Sequence, residues 1–208
     1  LQALSTAQAA ALTTTQAANL TSTQLNLLQT SDVGALSTAA VASLTSTQLN
    51  ALNSTNLEAL STAQVAKLTT TQVSNLTSTQ LNLMQTTDVA ALTTTQMASL
   101  TATQLDNLDA SHLAALPSVA SLTSTQLNAM ASTNLQALST TQAAALTTTQ
   151  VSNLTSTQLN LMQTSDVAAL STAAVASLTS TQLNALTSTN LQALSTAQAA
   201  ALTTTQAA

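Results

Sequence analysis

The chain has no cysteine, tryptophan, tyrosine or phenylalanine, and it has one glycine and one proline in 208 residues. Without cysteine it can form no disulfide and offers no thiol nucleophile or thiolate metal ligand. Without aromatic rings it cannot stack on nucleic-acid bases or sugar faces. One lysine against six acidic residues gives a net charge of −5, which strongly disfavours binding to a nucleic acid. No apolar run approaches the roughly 18 residues that a transmembrane helix needs.

What the chain does contain is one eight-residue phrase, repeated from end to end. Residues 68–75, LTTTQVSN, are a representative octad, and we number its positions 1 to 8 from the leucine. The frame begins at Leu4 and an apolar residue returns every eight positions up to Leu116. It resumes at Leu122 after a segment shortened by two residues, 116–121. A short fixed period is typical of a solenoid or a fibre.

Each octad carries the signals that start a helix. Position 2 is usually Ser or Thr and position 5 is usually Gln, which together make a capping box, as in Thr69 and Gln72. Positions 1 and 6 are apolar, as in Leu68 and Val73, and this pair is typical of the hydrophobic staple. The phrase therefore predicts a new helix in every octad, running from position 3 to position 8.

These signals predict an all-α solenoid of very short helices, one to two turns each. A continuous helix is excluded, because eight residues rotate by about 800° and the leucine stripe would drift by about 80° per octad. A β-solenoid is the alternative, since Thr and Val favour strands. Against it, positions 1 and 6 would face opposite sides of a straight strand, and the turn residues that tight β-coils need are almost absent.

Longer rhythms predict the size of a coil. The variant TSTQLN begins at residues 21, 45, 77, 123, 155 and 179, with steps that are mostly 24 or 32 residues, which predicts three to four octads per coil. A 56-residue unit is also visible. Residues 1–18 are identical to residues 191–208. We therefore expect residues 1–208 to be one continuous solenoid and a window of a longer repetitive protein, with residues 116–121 either a tolerated deletion or a kink.

One octad variant departs from the usual cap. Gln29, Gln85 and Gln163 occupy position 2 in it, so we expect the preceding helix to run longer and the cap to move to the following Thr. The same variant carries Asp32, Asp88 and Asp166 at position 5. Each is expected to be the third residue of its helix, where the helix dipole favours a carboxylate. The sharper hypothesis, a weak Ca²⁺ site, has no second carboxylate nearby in the sequence to support it.

The remaining polar residues predict no catalytic, cofactor-binding or metal site, and no cofactor. His112, the single histidine, stands at position 5 and is expected to replace Gln in the cap. We expect Asp106 to be a surface residue and Asp109 to be a helix cap. No nucleophile, base and orienting acid come together, so we expect no enzyme. Four Asn-x-Ser/Thr sequons leave glycosylation open, and they begin at Asn19, Asn53, Asn75 and Asn153.

The LTTTQV pattern of residues 68–73 resembles the LTTxQ octapeptide arrays of very large bacterial surface or secreted proteins, described as adhesin-like or haemagglutinin-like. The resemblance covers the whole chain and implies an extracellular stalk, fibre or matrix component. We therefore expect a structural protein at the cell surface or outside the cell that self-associates end to end and laterally. The alternative function is ice or surface binding through ranked Thr residues such as those of residues 13–15.

Overall fold

The computed structural model describes residues 3–206, and in that range the chain forms 24 α-helices, one 3₁₀ helix and no strand. The α-helices have four to six residues and begin at position 3 of their octads, as the phrase predicts. The prediction of an all-α solenoid of short helices is confirmed, and the β-solenoid alternative is wrong. In chain order the helices are α1 (Thr6–Ala10), α2 (Thr14–Ala18), α3 (Ser22–Asn26), α4 (Thr30–Ala35), α5 (Thr38–Ala42), α6 (Ser46–Asn50), α7 (Ser54–Glu58), α8 (Thr62–Val65), α9 (Thr70–Asn75), α10 (Ser78–Leu83), α11 (Thr86–Val89), α12 (Thr94–Ser99), α13 (Ala102–Asp106), α14 (Ala110–Ala115), η1 (Val119–Ser121), α15 (Ser124–Ala129), α16 (Ser132–Gln136), α17 (Thr140–Ala144), α18 (Thr148–Asn153), α19 (Ser156–Leu161), α20 (Thr164–Ala169), α21 (Thr172–Ala176), α22 (Ser180–Asn184), α23 (Ser188–Gln192) and α24 (Thr196–Ala200).

The capping box sets where each helix begins. Before α9, Thr69 has extended backbone angles (φ −71°, ψ 157°). Its hydroxyl accepts from the Gln72 N–H at 3.1 Å, and the Gln72 Oε1 accepts from the Thr69 N–H at 2.7 Å. These two bonds satisfy two of the N–H groups that a helix start leaves open. The helix ends at Asn75, because Leu76 is again extended (φ −60°, ψ 139°) and leads into the next cap.

The core is made of the staple residues at positions 1 and 6. In the octad of α9, Leu68 is 5% exposed and Val73 is fully buried. Leu, Val, Met and Ala fill the equivalent positions in the other octads, and most of them are also buried. A helix of one and a half turns is not stable alone in water. Each helix therefore depends on the packing of these two side chains against its neighbours.

The described chain divides into two compact units. The first contains residues 3–104 and 115–117, and the second contains residues 105–114 and 118–206. In the first unit each helix packs against the third helix along the chain, for example α2 against α5 and α9 against α12. Each unit is thus an α-solenoid. The prediction of one continuous solenoid over residues 1–208 concerns both units together and stays a prediction.

Hydrogen bonds between successive coils define the coil length in the first unit. The Gln72 Nε2 donates to the carbonyls of Val41, 31 residues back, and Leu44, 28 residues back. Since 28/8 is 3.5, a coil contains about three and a half octads. Each helix therefore lies over the junction between two helices of the preceding coil. This length agrees with the prediction of three to four octads, and two coils account for the 56-residue unit.

The second unit has the same coil length and absorbs the shortened segment. There, η1 replaces an α-helix, with Val119 fully buried and Leu122 3% exposed. The Gln150 Nε2 donates to the carbonyls of Val119 and Leu122, again 31 and 28 residues back. The two core positions and their hydrogen bonds are thus kept although two residues are missing.

The exceptional octads keep their cap at position 2. The caps of α4, α11 and α20 are Gln29, Gln85 and Gln163, none of which makes a side-chain cap bond. The expected shift of the cap to the next Thr is therefore wrong. The physical reason is that the buried staple fixes the register of the helix, and the backbone closes the first turn instead, as the Asp88 N–H donates to the Gln85 carbonyl at 2.9 Å.

No helix among residues 3–206 combines the length and the apolar character needed to cross a membrane.

Candidate functional site

The position-5 side chains carry most of the specific chemistry of the chain. Each typical Gln has two roles, because its amide holds one acceptor and one donor group. The Gln96 Oε1 accepts from the Thr93 N–H at 2.7 Å and closes its own capping box. The Gln96 Nε2 donates to the carbonyls of Val65 at 2.9 Å and Leu68 at 2.7 Å in the preceding coil. We call the second set the inter-coil glutamine bonds.

These bonds satisfy the position-1 carbonyls and give the position-6 carbonyls a second donor, since the Val65 carbonyl, for example, also accepts from the Leu68 N–H at 3.1 Å. The carbonyl at position 6 lies in the last turn of a helix, and the carbonyl at position 1 lies in the extended link to the next cap. Gln96 is 2% exposed and Gln64 is 1% exposed, so the bonds are shielded from water. A buried carbonyl without a donor costs free energy. The sequence predicted the cap role of Gln but missed the inter-coil role, because no local pattern indicates a partner about 28 residues away.

Position-7 Asn residues make a second set of bonds in the opposite direction. The Asn50 Nδ2 donates to the Asn75 carbonyl at 2.7 Å, and the Asn50 Oδ1 accepts from the Thr77 N–H at 3.1 Å. Asn128 repeats this with Asn153 and Thr155 in the second unit. Each of these Asn side chains joins the end of one helix and the cap of the next to its own coil.

Asp106 takes a related role at position 7. Its Oδ1 accepts a hydrogen bond from the Ala131 N–H in the following coil, and its side chain is half-buried. The expectation that Asp106 is simply a surface residue is therefore wrong. A carboxylate can replace the accepting half of Asn here, because the N–H of the following cap supplies the donor.

His112 and Asp109 form a variant cap. The Asp109 Oδ1 accepts from the His112 N–H at 2.9 Å and lies 2.8 Å from the His112 Nδ1. The Ser111 hydroxyl also donates to this oxygen, at 2.6 Å. The Ser111 hydroxyl, the His112 N–H and the imidazole hold the pKa of Asp109 well below its usual range. The predicted cap role of Asp109 is confirmed, and the His112 ring contacts the carboxylate of that cap. Ser and His both contact the same Asp oxygen, so the three are not arranged as a relay from nucleophile to base to acid.

The three aspartates at position 5 are buried. Asp32, Asp88 and Asp166 are 1%, 2% and 1% exposed, and the Oδ2 of each has no hydrogen-bond partner within the described residues. Their predicted place as the third residue of a helix is confirmed. Their burial was not predicted, since a dipole-favoured carboxylate is ordinarily solvated.

The sequon asparagines are all exposed, and all four use their side chains in hydrogen bonds, three of them within the octad and that of Asn75 with the preceding coil. Asn19 and Asn153 donate to the carbonyls of Thr15 and Thr149, both at 2.8 Å. The other two accept from Asn56 and donate to Ser46.

Within residues 3–206 there is no pocket and no group of three or more His, Cys, Asp or Glu side chains that could hold a metal ion. What the described chain offers is a repeating interface between coils, formed by main-chain carbonyls and side-chain amides. These features define an α-solenoid repeat protein.

Comparison with known families agrees with this class. The model of the ALTTAQ repeat matches residues 25–60, 119–156 and 160–196, together more than half of the chain. The chain therefore belongs to the ALTTAQ repeat family. No curated protein sequence matched it.

Proposed function

We propose that the chain is a structural segment of an extracellular bacterial filament or adhesin stalk, without a catalytic role of its own. The observation that carries the proposal is the inter-coil glutamine bond, which recurs at the same offsets of 31 and 28 residues, as from Gln72 and from Gln150. The position-5 Gln side chains of each coil donate to carbonyls of the coil before it. The carbonyls of the same coil accept from the Gln side chains of the coil after it. Such an interface sets no limit to the number of coils.

Composition supports an exposed, extended role. The chain has 3% charged residues, so its surface polarity rests on Ser, Thr, Asn and Gln. The hydrogen bonds of these neutral side chains change little with salt, whereas ion pairs are screened. This suits a protein that works outside the cell. Antibody labelling of intact source cells is expected to detect the chain at the surface or in the medium, and labelling only after lysis would contradict the location.

Self-association is proposed through the first described coil. The Oε1 atoms of Gln8, Gln16 and Gln24 accept from their own cap N–H groups at 2.9, 2.9 and 2.8 Å. Their Nε2 groups meet no acceptor among residues 3–206, and all three residues are exposed. They are the same donors that elsewhere bind the preceding coil. The matching acceptors are the position-1 and position-6 carbonyls of another coil of this repeat, which a second copy of residues 1–208 can supply.

The test uses light scattering and electron microscopy of the purified chain over a range of concentrations. We expect fibres with an axial repeat of about 8–10 Å, the usual distance between packed helices. The triple variant Q8E/Q16E/Q24E keeps the cap acceptors but removes the donors, so it is expected to stay dispersed.

The charge-matched control is A7E/T15E/T23E at exposed positions of the same coil, and it is expected to assemble like the parent. Equal loss of assembly in both triple variants would show that charge, and not the glutamine donors, controls association. Monomers of the parent at every concentration would contradict self-association.

Ice or surface binding through ranked Thr residues is the alternative, and the coil register does not favour it. A flat Thr array requires octads that stack directly above one another. The bonds of Gln72 instead place its helix between two helices of the preceding coil, so Thr residues of successive coils are offset by half an octad. We expect no thermal hysteresis, and measurable hysteresis would restore this alternative.

A further inference from the structure

The octads with aspartate at position 5 lack the amide donor at that position, and their position-2 Gln donates to the preceding coil instead, as the Gln85 Nε2 does to the Glu58 carbonyl at 3.0 Å. Asp166 is 1% exposed, and its Oδ2 has no hydrogen-bond partner among the described residues. A Gln at this position always ends in an Nε2 donor, whereas an ionised carboxylate can only accept. The inter-coil bond at Asp166 therefore cannot be made by the carboxylate in its usual charged form.

The register identifies the backbone group opposite Asp166. In the second unit several position-5 glutamines donate to the carbonyl 28 residues back, as Gln158 does to Met130 at 3.0 Å and Gln182 to Leu154 at 2.6 Å. For Asp166 the equivalent carbonyl is that of Leu138, which accepts no hydrogen bond within residues 3–206.

A side chain as short as Asp is long enough to make the contact. At position 5, Asn134 donates from its Nδ2 to the carbonyls of Leu105 at 2.7 Å and Leu108 at 3.4 Å. Asn and Asp have the same length and shape. By analogy with Asn134, the Oδ2 of Asp166 corresponds to an amide nitrogen, and the Leu138 carbonyl is the acceptor that this register assigns to it.

We infer that Asp166, and Asp88 at the equivalent place in the first unit, carry a proton on Oδ2 and donate it to a carbonyl of the preceding coil, so that the coupling between these coils depends on pH. A protonated carboxyl has one O–H donor beside one acceptor, as the carboxamide of Gln does. The equivalent carbonyl for Asp88 is that of Leu60, which also accepts no hydrogen bond among the described residues.

Burial supports a proton in this place. Desolvation raises the pKa of Asp166 above its ordinary value, and the Gln163 N–H and the Ser165 hydroxyl oppose this only in part. Desolvation likewise raises the pKa of Asp88, against the Gln85 N–H. A bound cation is the competing occupant, but it would need about six oxygen ligands, and the described chain has neither a pocket nor a second acidic group there.

The charged surroundings of the two aspartates are simple. Helix α20, which holds Asp166, packs against α17 and α23, and neither contains a titratable side chain. Residues 119–206 contain no other charged residue or histidine. Helix α11, which holds Asp88, packs against α8, which has none. The charged residues that precede Asp88 most closely in the first unit, Lys67 after α8 and Glu58 at the end of α7, are exposed.

The sign of the pH effect follows from the direction of these pKa shifts. A folded-state pKa above the unfolded value means that the native state binds the proton more tightly. The stabilisation is complete below the ordinary pKa of 3.8 and is lost as the pH rises through the raised value. The coils are therefore joined more firmly in mild acid than at neutral pH.

The experiment is a carbon-detected NMR titration of the full chain labelled at its Asp carboxyls, with D166N used for assignment. We expect the Asp166 signal to titrate well above an exposed aspartate, and D32N/D88N/D166N to remove the fall in melting temperature between about pH 4 and pH 7. An ordinary or lowered pKa for Asp166 would overturn the inference, and so would an unchanged pH slope in the triple variant.

Two further measurements test the inference. One asks whether an acid at another position of the same register behaves in the same way, and the other asks whether a cation, and not a proton, occupies the place beside Asp166. The matched gain variant N134D introduces an acid at the same register and is expected to steepen the fall in melting temperature with rising pH. Calcium or sodium ions at neutral pH are expected to leave the melting temperature of the parent unchanged. A rise in that temperature that is absent in D166N would assign the place to a cation and reject the proton.

Discussion

The inter-coil glutamine bonds predict that Gln150→Met destabilises the chain strongly although it preserves volume. The Gln150 Oε1 accepts from the Thr147 N–H at 2.8 Å, and its Nε2 donates to Val119 and Leu122 at 2.8 and 2.6 Å. Methionine leaves the Thr147 N–H and the Leu122 carbonyl without partners. The Val119 carbonyl keeps the Leu122 N–H at 3.0 Å. Two orphaned groups at about 1–3 kcal/mol each predict a loss of roughly 2–6 kcal/mol in the free energy of unfolding.

The matched control is Gln150→Asn at the same position. The chain itself uses Asn there: the Asn56 Nδ2 donates to Leu25 at 3.2 Å, while the N–H of its cap residue, Asn53, donates to another side chain. Asn therefore keeps the inter-coil donor and gives up the cap acceptor. We expect Gln150→Asn to cost about 1–2 kcal/mol, for one hydrogen bond and one methylene. The difference between the two variants isolates the inter-coil donor.

Urea unfolding followed by circular dichroism at 222 nm measures both variants, since the chain has no Trp or Tyr for fluorescence. Protein concentration must be taken from the peptide-bond absorbance for the same reason. Equal losses for Gln150→Met and Gln150→Asn would refute the reasoning, because they would mean that the bonds to Val119 and Leu122 contribute nothing net.

Three further predictions concern the cap, the core and the acidic range. Thr69→Ala is expected to cost about 1 kcal/mol, because its hydroxyl caps α9, whereas Thr70→Ala at the neighbouring exposed position is expected to change stability by less than about 0.5 kcal/mol in urea unfolding. Leu127→Ala is expected to cost about 2–5 kcal/mol, because this side chain is 1% exposed, and a cost near zero would contradict its place in the core. The pKa of Asp109 is lowered in the folded chain, so its stabilisation is present above the ordinary value of 3.8 and is lost as the pH falls below it. Asp109→Asn is therefore expected to reduce the loss of melting temperature on acidification, and an unchanged acid limb would contradict the role of this carboxylate.

Local signals in the sequence were sufficient for the helices themselves. A cap and its Gln are three residues apart, as Thr69 and Gln72 are, so their pairing depends only on one turn of backbone. The staple positions likewise identified the core, for example Leu68 and Val73. The exception is the octad with Gln85 at position 2. The sequence predicted that the cap shifts to the following Thr, whereas the cap stays at Gln85 because the buried staple fixes the register.

The candidate site could be predicted only in part. The sequence placed Asp166 at the third residue of a helix and Asp109 in a cap, and both placements are confirmed. It gave no sign that Asp166 is buried or that Asp106 bonds to the next coil. Those properties depend on which helices face each other, and an isolated octad contains no information about that.

The sequence by itself therefore determined where each helix begins, which two residues of each octad are buried, and the approximate length of a coil, because the first two follow from contacts within one octad and the third from the spacing of octad variants along the chain. Only the tertiary structure decided the half-octad offset between coils, the second role of Gln72 as a donor to Val41 and Leu44, and the isolation of the Asp166 Oδ2. These join residues 25–31 positions apart, as the bonds of Asn50 and Gln72 do. Their geometry depends on the rotation that each octad adds to the coil, summed over three and a half octads.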